Sequence, residues 1–470
     1  MYKSKLLKIY TSFNRKEKTL FKKWVYSPIH NQHQDVLRLF EFIFTKRGHF
    51  TALSITKEKA HQFIYTSSSY NDLRVRHLMN LGVCVLEKFV RFLIQDSNDF
   101  LQQKSLIQFY KDRTLKKFSQ QQIQKAKLLQ EAQAIKDGSF YHNQYALETA
   151  IFEQAGEDER VRTTNLQAIF DAYSTAFVIE ILRHACTALT YQNLNKKNQF
   201  NIPFLQQILE QIESGAYQEI ISIQFYYYSY KSLTEPNQAL HYQELKKLLF
   251  EHYQELESSE IKNIHVIALN FCIKQLNNGE ENYVQEVFDL FNYGLEYNIL
   301  IKDNILSRFT YKNIITAALR LKEVRWTSQF LKQYTPYLHT KYQKNYHHFA
   351  YAKLLYTKGD YDETMRLLHQ VEYDDLFLNL DAKMILLKIY YEQGNTDALE
   401  ALLNSFYIYL QRKEVMGYHQ SNYKNNIKFT RKLLYLVTYD KENLKKIQQQ
   451  IEATSPLTEK NWLLQQLHKL

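Results

Sequence analysis

Apolar and polar positions recur with helical spacing in two adjacent segments near the C-terminal end of the chain. Each segment has an apolar run, a Gly-Asp or Gly-Asn pair and a second apolar run. In the first segment the apolar runs are Ala352–Tyr356 and Leu367–Leu368, on either side of Gly359. In the second they are Leu387–Tyr391 and Leu402–Leu403, on either side of Gly394. The two glycines lie 35 residues apart. This is the period of tetratricopeptide-like repeats, in which a helical hairpin buries its apolar face only by stacking on its neighbours. The pattern predicts two consecutive hairpins with equivalent turns at Gly359 and Gly394.

A similar pattern covers most of the chain. Second helices of hairpins are predicted to begin near residues 241, 282, 323, 360 and 395, in steps of 41, 41, 37 and 35. We therefore predict an almost wholly helical, all-α fold. Its predicted parts are a basic helical N-terminal unit (1–110), long helices that act as a spacer (111–160), a tetratricopeptide-like α-solenoid of stacked helical hairpins (161–440) and a C-terminal capping helix (441–470).

The predicted spacer and capping helix each have a distinct pattern. Residues 111–137 are rich in lysine and glutamine and predict one exposed helix, which Lys136-Asp137-Gly138 stops. This helix is either a spacer or the arm of a helical hairpin with a segment over about 140–160. The segment from Asn165 to Leu189 is strongly apolar and periodic. In the C-terminal tail the residues expected to face inward are Trp462, Leu463, Leu464 and Leu467.

The N-terminal unit combines a capped amphipathic helix with many basic side chains. Asn14 followed by Glu17 predicts a capping box, and Ser27-Pro28 ends the helix. A helical wheel separates an apolar side with Leu20, Phe21, Trp24 and Val25 from a basic side with Arg15, Lys16, Lys18, Lys22 and Lys23. We expect the basic side to face solvent and Phe21 and Trp24 to be buried.

Further helices are predicted over about 33–46, from Thr56 and from Asn71, and the last has Arg74 and Arg76 in its first turns. A short helix, a turn and a longer helix with arginines near its start are compatible with a helix-turn-helix that reads nucleic acid. They are equally compatible with an ordinary helical bundle whose basic face is solvated, or that meets an acidic protein or a membrane surface.

Charge is concentrated at the same end of the chain. The protein carries a net charge of +11 over 470 residues, but residues 1–130 hold 24 Lys and Arg against 9 Asp and Glu, a surplus of +15. The rest of the chain is therefore slightly acidic, at −4. Such asymmetry favours an anionic partner for the N-terminal end.

Motifs that carry catalysis or cofactor binding are absent from the sequence. It has no HExxH, GxxxxGK[ST], GxGxxG or GxSxG pattern. The three cysteines have no CxxC partner and lie in apolar helical runs, as expected of a reducing compartment. No secretory signal and no apolar run long enough to cross a membrane is found. The sequence predicts a cytoplasmic protein that is not an enzyme and needs no metal or cofactor.

Four motifs occur in an order that resembles a family of helical-repeat proteins of unassigned function from Bacteroidota. They are Phe21-Lys22-Lys23-Trp24-Val25-Tyr26-Ser27-Pro28, Asn165-Leu166-Gln167 to Cys186, Arg325-Trp326 to Tyr334, and Val371-Glu372-Tyr373-Asp374-Asp375 to Gly394. The resemblance covers nearly the whole chain. It implies a tetratricopeptide-like fold and supplies no catalytic residues.

Two functions are compatible with these patterns. The first is a non-enzymatic scaffold that binds a protein or peptide in the groove of the solenoid. Aligning the repeats on their glycines pairs Phe349 with Met384, Lys353 with Lys388 and Tyr356 with Tyr391, all on first helices of hairpins, and a recurring lysine and tyrosine suit an extended acidic peptide. The alternative is a regulator whose N-terminal unit binds nucleic acid through the basic residues named above.

Overall fold

A computed structural model describes residues 1–46, 48, 50–66, 68–155, 164–194, 199–277, 279–369, 376–412, 417–436 and 441–469. Eight helices lie before residue 155, and they are α1 Lys5–Ser12, α2 Arg15–Tyr26, α3 Gln34–Thr45, α4 Lys57–Ile64, α5 Asp72–Asp96, α6 Asp99–Asp112, α7 Lys116–Glu131 and α8 Gly138–Gln154. Six more follow, and they are α9 Leu166–Leu194, α10 Leu205–Glu213, α11 Ile221–Thr234, α12 Ala239–His252, α13 Ser258–Asn277 and α14 Tyr283–Glu296. The last nine are α15 Arg308–Arg320, α16 Val324–Tyr334, α17 Thr340–Lys358, α18 Tyr361–His369, α19 Leu376–Glu392, α20 Thr396–Arg412, α21 Gly417–Leu434, α22 Lys441–Ala453 and α23 Lys460–Lys469.

The prediction of an all-α chain is confirmed, with one small exception among the described residues. Two-residue strands, β1 Ile301–Lys302 and β2 Ile305–Leu306, pair antiparallel between α14 and α15. Single 3-10 turns follow α12 and α16. The chain divides into two compact units, residues 1–184 with 201–223 and residues 185–200 with 224–470. The four segments predicted from the sequence stay a prediction.

An aromatic core organises the N-terminal part of the first unit. The ring of Phe21 lies 4.8 Å from that of Phe40 and 5.2 Å from that of Phe89, and all three are fully buried. The predicted capping box is confirmed. Asn14 Oδ1 accepts a hydrogen bond from the Glu17 backbone amide at 3.0 Å, and a Glu17 carboxylate oxygen accepts one from the Asn14 backbone amide at 2.7 Å. These contacts fix the start of α2 and the direction of its basic side.

Two predictions about α2 need correction. Leu20 was placed on the apolar side, but it is exposed, because the buried side of the helix is narrower and centres on Phe21 and Val25. Trp24 is half-buried rather than buried, and its ring stacks on that of His30 at 3.4 Å between ring centres.

The single long helix predicted over 111–137 is divided in the structure. It is interrupted after Asp112, where Thr114 adopts a positive φ of 56°, and resumes as α7, which ends at Glu131. Asp137 does not stop a helix but begins the next one, since its side chain accepts from the Phe140 amide at 2.9 Å. Of the two alternatives for this segment, the structure has the helical hairpin, because α7 packs against α8.

Paired helices connected by short turns make up most of the second unit. The pairs are α13 with α14, α15 with α16, α17 with α18, and α19 with α20, and α15, α17 and α19 also contact one another in sequence. The first helices of the last three hairpins therefore lie side by side. This places their polar faces on a shared surface.

The turns within these four pairs have the same geometry. The turn residues are Gly279, Lys322, Gly359 and Gly394, and each has a positive φ. The amide of the turn residue donates to the carbonyl three residues earlier, and the amide of the next residue donates to the carbonyl five residues before itself. This is the Schellman ending of a helix. The predicted equivalence of Gly359 and Gly394 is confirmed. The longer step from Gly279 to Lys322 contains the β1–β2 hairpin.

The predicted single capping helix at the C-terminus is two helices. The chain leaves the helix after Ala453 and resumes at Lys460, and Pro456, which lacks an amide donor, lies between them. Trp462, Leu463 and Leu467 are buried as expected, in a cluster with Phe406, whereas Leu464 is half-buried.

Candidate functional site

Polar side chains from three adjacent first helices meet on one surface of the second unit. Positions four or seven residues apart lie on one face of a helix, which groups Lys312 with Thr316 on α15 and Asp381 with Lys388 on α19. The Lys312 ammonium lies 2.6 Å from an Asp381 carboxylate oxygen, and Lys353 of α17 donates to the Thr316 hydroxyl at 2.8 Å. We call Lys312, Lys353, Asp381, Lys388 and Glu392 the charged surface.

The six residues predicted to bind a partner fall into two groups. Phe349 and Met384 are buried in the helical core, so they position α17 and α19. Lys353, Tyr356, Lys388 and Tyr391 are half-buried. The Lys388 ammonium lies 5.1 Å from the centre of the Tyr356 ring, so the aligned lysine and tyrosine of successive hairpins do come together.

The sequence analysis missed that another part of this chain contacts the charged surface. The Lys388 ammonium lies 3.0 Å from a carboxylate oxygen of Glu459, which directly precedes α23. Three residues later, the Trp462 indole nitrogen donates to Glu392 at 2.7 Å, and its ring lies edge-on to Tyr391 at 5.4 Å. The carboxylate of Glu459, from the irregular segment before α23, and the aromatic ring of Trp462, from the first turn of α23, therefore occupy this surface.

The segment that carries Glu459 is held firmly from the other side. Asn425 and Asn426 of α21 donate their side-chain amides to the carbonyls of Pro456 and Thr458, at 2.9 and 3.0 Å. Glu459 itself has a positive φ of 54°, which a residue with a side chain adopts at a cost of roughly 1–2 kcal/mol. The chain thus accepts backbone strain at the residue whose carboxylate contacts Lys388.

Glu392 collects three hydrogen bonds. Besides Trp462, the hydroxyls of Tyr356 and Tyr361 donate to its two oxygens, at 2.9 and 2.6 Å. Burial and the Glu392 carboxylate raise the pKa of Tyr356, so this hydroxyl stays a donor. These contacts tie α17, α18, α19 and α23 to one carboxylate.

The ionisable groups of the surface influence one another. Burial lowers the pKa of the Lys353 ammonium to about 8, against the opposing attraction of Asp381 and Glu459. Burial would raise the pKa of the Glu459 carboxyl, but the charge and hydrogen bond of Lys388, with a smaller effect of Lys353, hold that pKa below its usual value. The Glu459 side chain is 38% exposed, so solvent screens part of this attraction. The arrangement is suited to holding a carboxylate between lysines.

The basic candidates of the N-terminal unit are not grouped in this way. Arg15, Lys16, Lys22 and Lys23 are exposed on α2, whereas Lys18 is half-buried, with its ammonium 5.8 Å from the Tyr10 ring centre. None of the first four forms an ion pair with another described residue.

The two arginines of α5 are engaged within the chain. Arg74 stacks on Tyr65 at 3.7 Å and lies 3.8 Å from Asp35, and Arg76 pairs with Asp72 at 2.6 Å. Their charge is therefore partly compensated, which weakens the case for a nucleic-acid-reading helix at α5.

In comparisons with known proteins, no family model, no curated protein and no solved structure matches the chain. The resemblance to the Bacteroidota family therefore stays a prediction from its motifs. Three of these lie on α2, α9 and α16, while residues 371–375 of the fourth are outside the described residues. Within the described part of the chain, no helix is long and apolar enough to cross a membrane, and no three His, Cys, Asp or Glu side chains are grouped to hold a metal ion.

Proposed function

We propose that the protein is a non-enzymatic, cytoplasmic scaffold whose charged surface binds an extended acidic segment of a protein partner. The repeated hairpins with equivalent turns support a tetratricopeptide-like solenoid, in which first helices line the binding groove. Repeat proteins of this kind bind extended peptides along that groove.

The observation that carries the proposal is the position of Glu459. An acidic residue in an irregular segment already contacts Lys388, and Trp462 contacts Glu392 three residues later. The surface thus accommodates a carboxylate and a neighbouring aromatic ring presented by a short stretch of backbone. A partner's carboxylate would take the place of that of Glu459, while α23 stays in the core through Leu463 and Leu467.

A direct binding measurement tests the proposal. The probe is a fluorescent peptide of alternating Glu and Ser residues, with a Gln-Ser peptide as its uncharged counterpart. We expect the full-length protein to bind only the acidic peptide, the Glu459→Gln variant to bind it more tightly because a competing carboxylate is gone, and salt to weaken both.

Charge reversal provides the complementary test. Lys353→Glu with Lys388→Glu is expected to abolish capture of the acidic peptide. Lys344→Glu with Lys358→Glu makes the same change of net charge at exposed positions of α17 and should leave binding intact. Acidic-peptide binding that survives the first pair in a folded protein, or that is absent from the wild type at low salt, would refute the proposal.

The second candidate function is a regulator that binds nucleic acid through α2. The observation that favours it is the set of four exposed cations on one helix, Arg15, Lys16, Lys22 and Lys23, with no described acidic partner. Phosphate binding needs such cations and depends steeply on salt.

A further inference from the structure

Helix α9 has two apolar faces, of which one is buried and the other is largely exposed, with Tyr173 of the exposed face contacting the Tyr145 ring at 5.1 Å. Ala172, Ala176, Ile179 and Leu182 are buried. On the opposite side, Leu166, Phe170, Tyr173 and Phe177 are exposed by 39%, 63%, 53% and 36%. A helix that is apolar all round is ordinarily buried all round, so the exposed face is an unusual feature for a helix of this composition.

The exposed residues form a narrow line. Their steps of four, three and four residues keep them within about 60° on a helix with roughly 100° per residue. We call Leu166, Phe170, Tyr173 and Phe177 the α9 stripe. The same alternation of three and four residues defines the contact seam of two-helix coiled coils.

Phe204 lies beside the α9 stripe and adds to its exposed apolar surface. Its ring lies 6.2 Å from that of Phe177, and it is 63% exposed. It also has a φ of 60°, which is rare for a bulky residue and costs roughly 1–2 kcal/mol. Backbone strain of this kind clusters at functional sites.

Charge around the stripe selects the class of partner. Between Leu166 and Leu182 the charged residues are Asp171 and Glu180, and there is no lysine or arginine. Membrane-surface helices and nucleic-acid-binding helices both need basic residues beside their contact face. An apolar, slightly acidic helix is suited to another protein surface.

We propose that the α9 stripe is the contact surface of a homodimer, packed antiparallel against the stripe of a second copy. The stripe is symmetric about its midpoint, so an antiparallel copy places Phe170 against Tyr173 and Leu166 against Phe177 of the other chain. A twofold interface requires such self-complementarity. With roughly 200 Å² for each large side chain, the stripe and Phe204 expose about 500 Å². Two copies bury about 1,000 Å², the lower limit for a specific interface.

The oligomeric state of the full-length protein tests the proposal. Light scattering after size exclusion, repeated over a range of concentrations, should give twice the chain mass of 56.4 kDa. Phe170→Glu with Tyr173→Glu should raise the dissociation constant roughly 100-fold or more, since each copy buries two charges in an apolar contact. Leu128→Glu with Tyr435→Glu removes two equally exposed apolar side chains elsewhere and should leave the dimer intact.

Cross-linking tests the orientation. In a Cys84→Ser background, which removes the exposed native thiol, an equimolar mixture of Leu166→Cys and Phe177→Cys chains should oxidise to the mixed disulfide. Each chain alone should remain uncross-linked. A monomeric wild type at every concentration, a dimer that persists in the double-glutamate variant, or disulfides between identical chains would each overturn the proposal.

Discussion

The surroundings of Lys353 in the folded protein change both its exposure and the pKa of its ammonium group. The repeat pattern marks Lys353 as a candidate partner-binding residue, but it indicates neither the burial nor the pKa of its ammonium group. In the structure it is half-buried, its ammonium donates to Thr316, and burial brings its pKa to about 8 from a usual 10.5. Lys388 is also largely buried, with a side chain that is only 12% exposed. Reversing these two lysines should therefore lower the melting temperature by more than the few degrees expected of exposed charges.

The lowered pKa of Lys353 predicts a dependence of stability on pH. Between pH 8 and 10.5 the unfolded chain binds more protons at this residue than the folded chain, so folding stability rises with pH in this window. The penalty of burying the charge is fully present below pH 8 and disappears as the pH approaches 10.5. Relative to Lys353→Met, the wild type should gain about 1 kcal/mol between about pH 7 and pH 9.5, after allowance for solvent screening.

Urea unfolding of both proteins at the two pH values measures this difference. Lys344→Met, at an exposed lysine of the same helix, should show no such change with pH. A difference between wild type and Lys353→Met that is constant over this range would show that the Lys353 ammonium keeps its ordinary pKa in the folded protein.

At the scale of elements, the helix endings repeat more regularly than the sequence does. Glycine marks three of the four Schellman turns between paired helices, and two of these, Gly359 and Gly394, were the signal from which two hairpins were predicted. The fourth turn has Lys322 with a φ of 61°, and no sequence rule predicts a left-handed lysine. Likewise, Thr114 breaks a segment whose composition predicts an uninterrupted helix.

The turn residues predict opposite effects of two substitutions. Lys322→Gly should stabilise the protein by about 0.5–1 kcal/mol, because glycine adopts a positive φ without strain. Gly359→Ala should destabilise it by about 1 kcal/mol, since φ is 84° there and no atom lies within 4 Å of the added methyl group, so the cost is conformational and not steric.

Chemical denaturation of the two variants measures both effects. Gly359→Asn is the control, because asparagine tolerates this conformation better than alanine and should cost less. If Lys322→Gly proved less stable than the wild type, the lysine side chain would have to contribute contacts that outweigh the strain of its backbone.

At the scale of the whole molecule, the sequence places a strong positive charge at one end, and the structure divides it into different environments. Arg74 and Arg76 are paired with aspartates, while Lys16, Lys22 and Lys23 of α2 remain exposed. The basic end and the charged surface belong to separate compact units. Their functions can therefore be tested independently.

Reversing the α2 charges distinguishes the two candidate functions. Lys16→Glu, Lys22→Glu and Lys23→Glu together should leave acidic-peptide binding within about twofold and the melting temperature nearly unchanged, because exposed charges contribute little to stability. If the wild type binds duplex DNA or RNA at low salt, the triple variant should bind far more weakly. Its binding constant should also depend less steeply on salt concentration, by the equivalent of roughly three lost phosphate contacts. Loss of peptide binding in this variant would contradict the scaffold function.

The sequence by itself determined the class of fold and much of its local detail. Helical spacing, the Asn14–Glu17 capping box and the glycine turns depend on residues within one or two turns of each other, and such signals can be read without a structure. It also brought Lys353 and Lys388 forward as equivalent positions, because repeats preserve the face of a helix.

Tertiary structure alone decided what surrounds those positions. Glu459 is 71 residues from Lys388, and Trp462 is 70 residues from Glu392; no local pattern connects them. The two apolar faces of α9 look alike in the sequence, yet one is buried and the other is largely exposed, because burial depends on which elements fold against a helix. Contacts between distant residues follow from the packing of the whole unit, which the periodicity of any one segment does not specify.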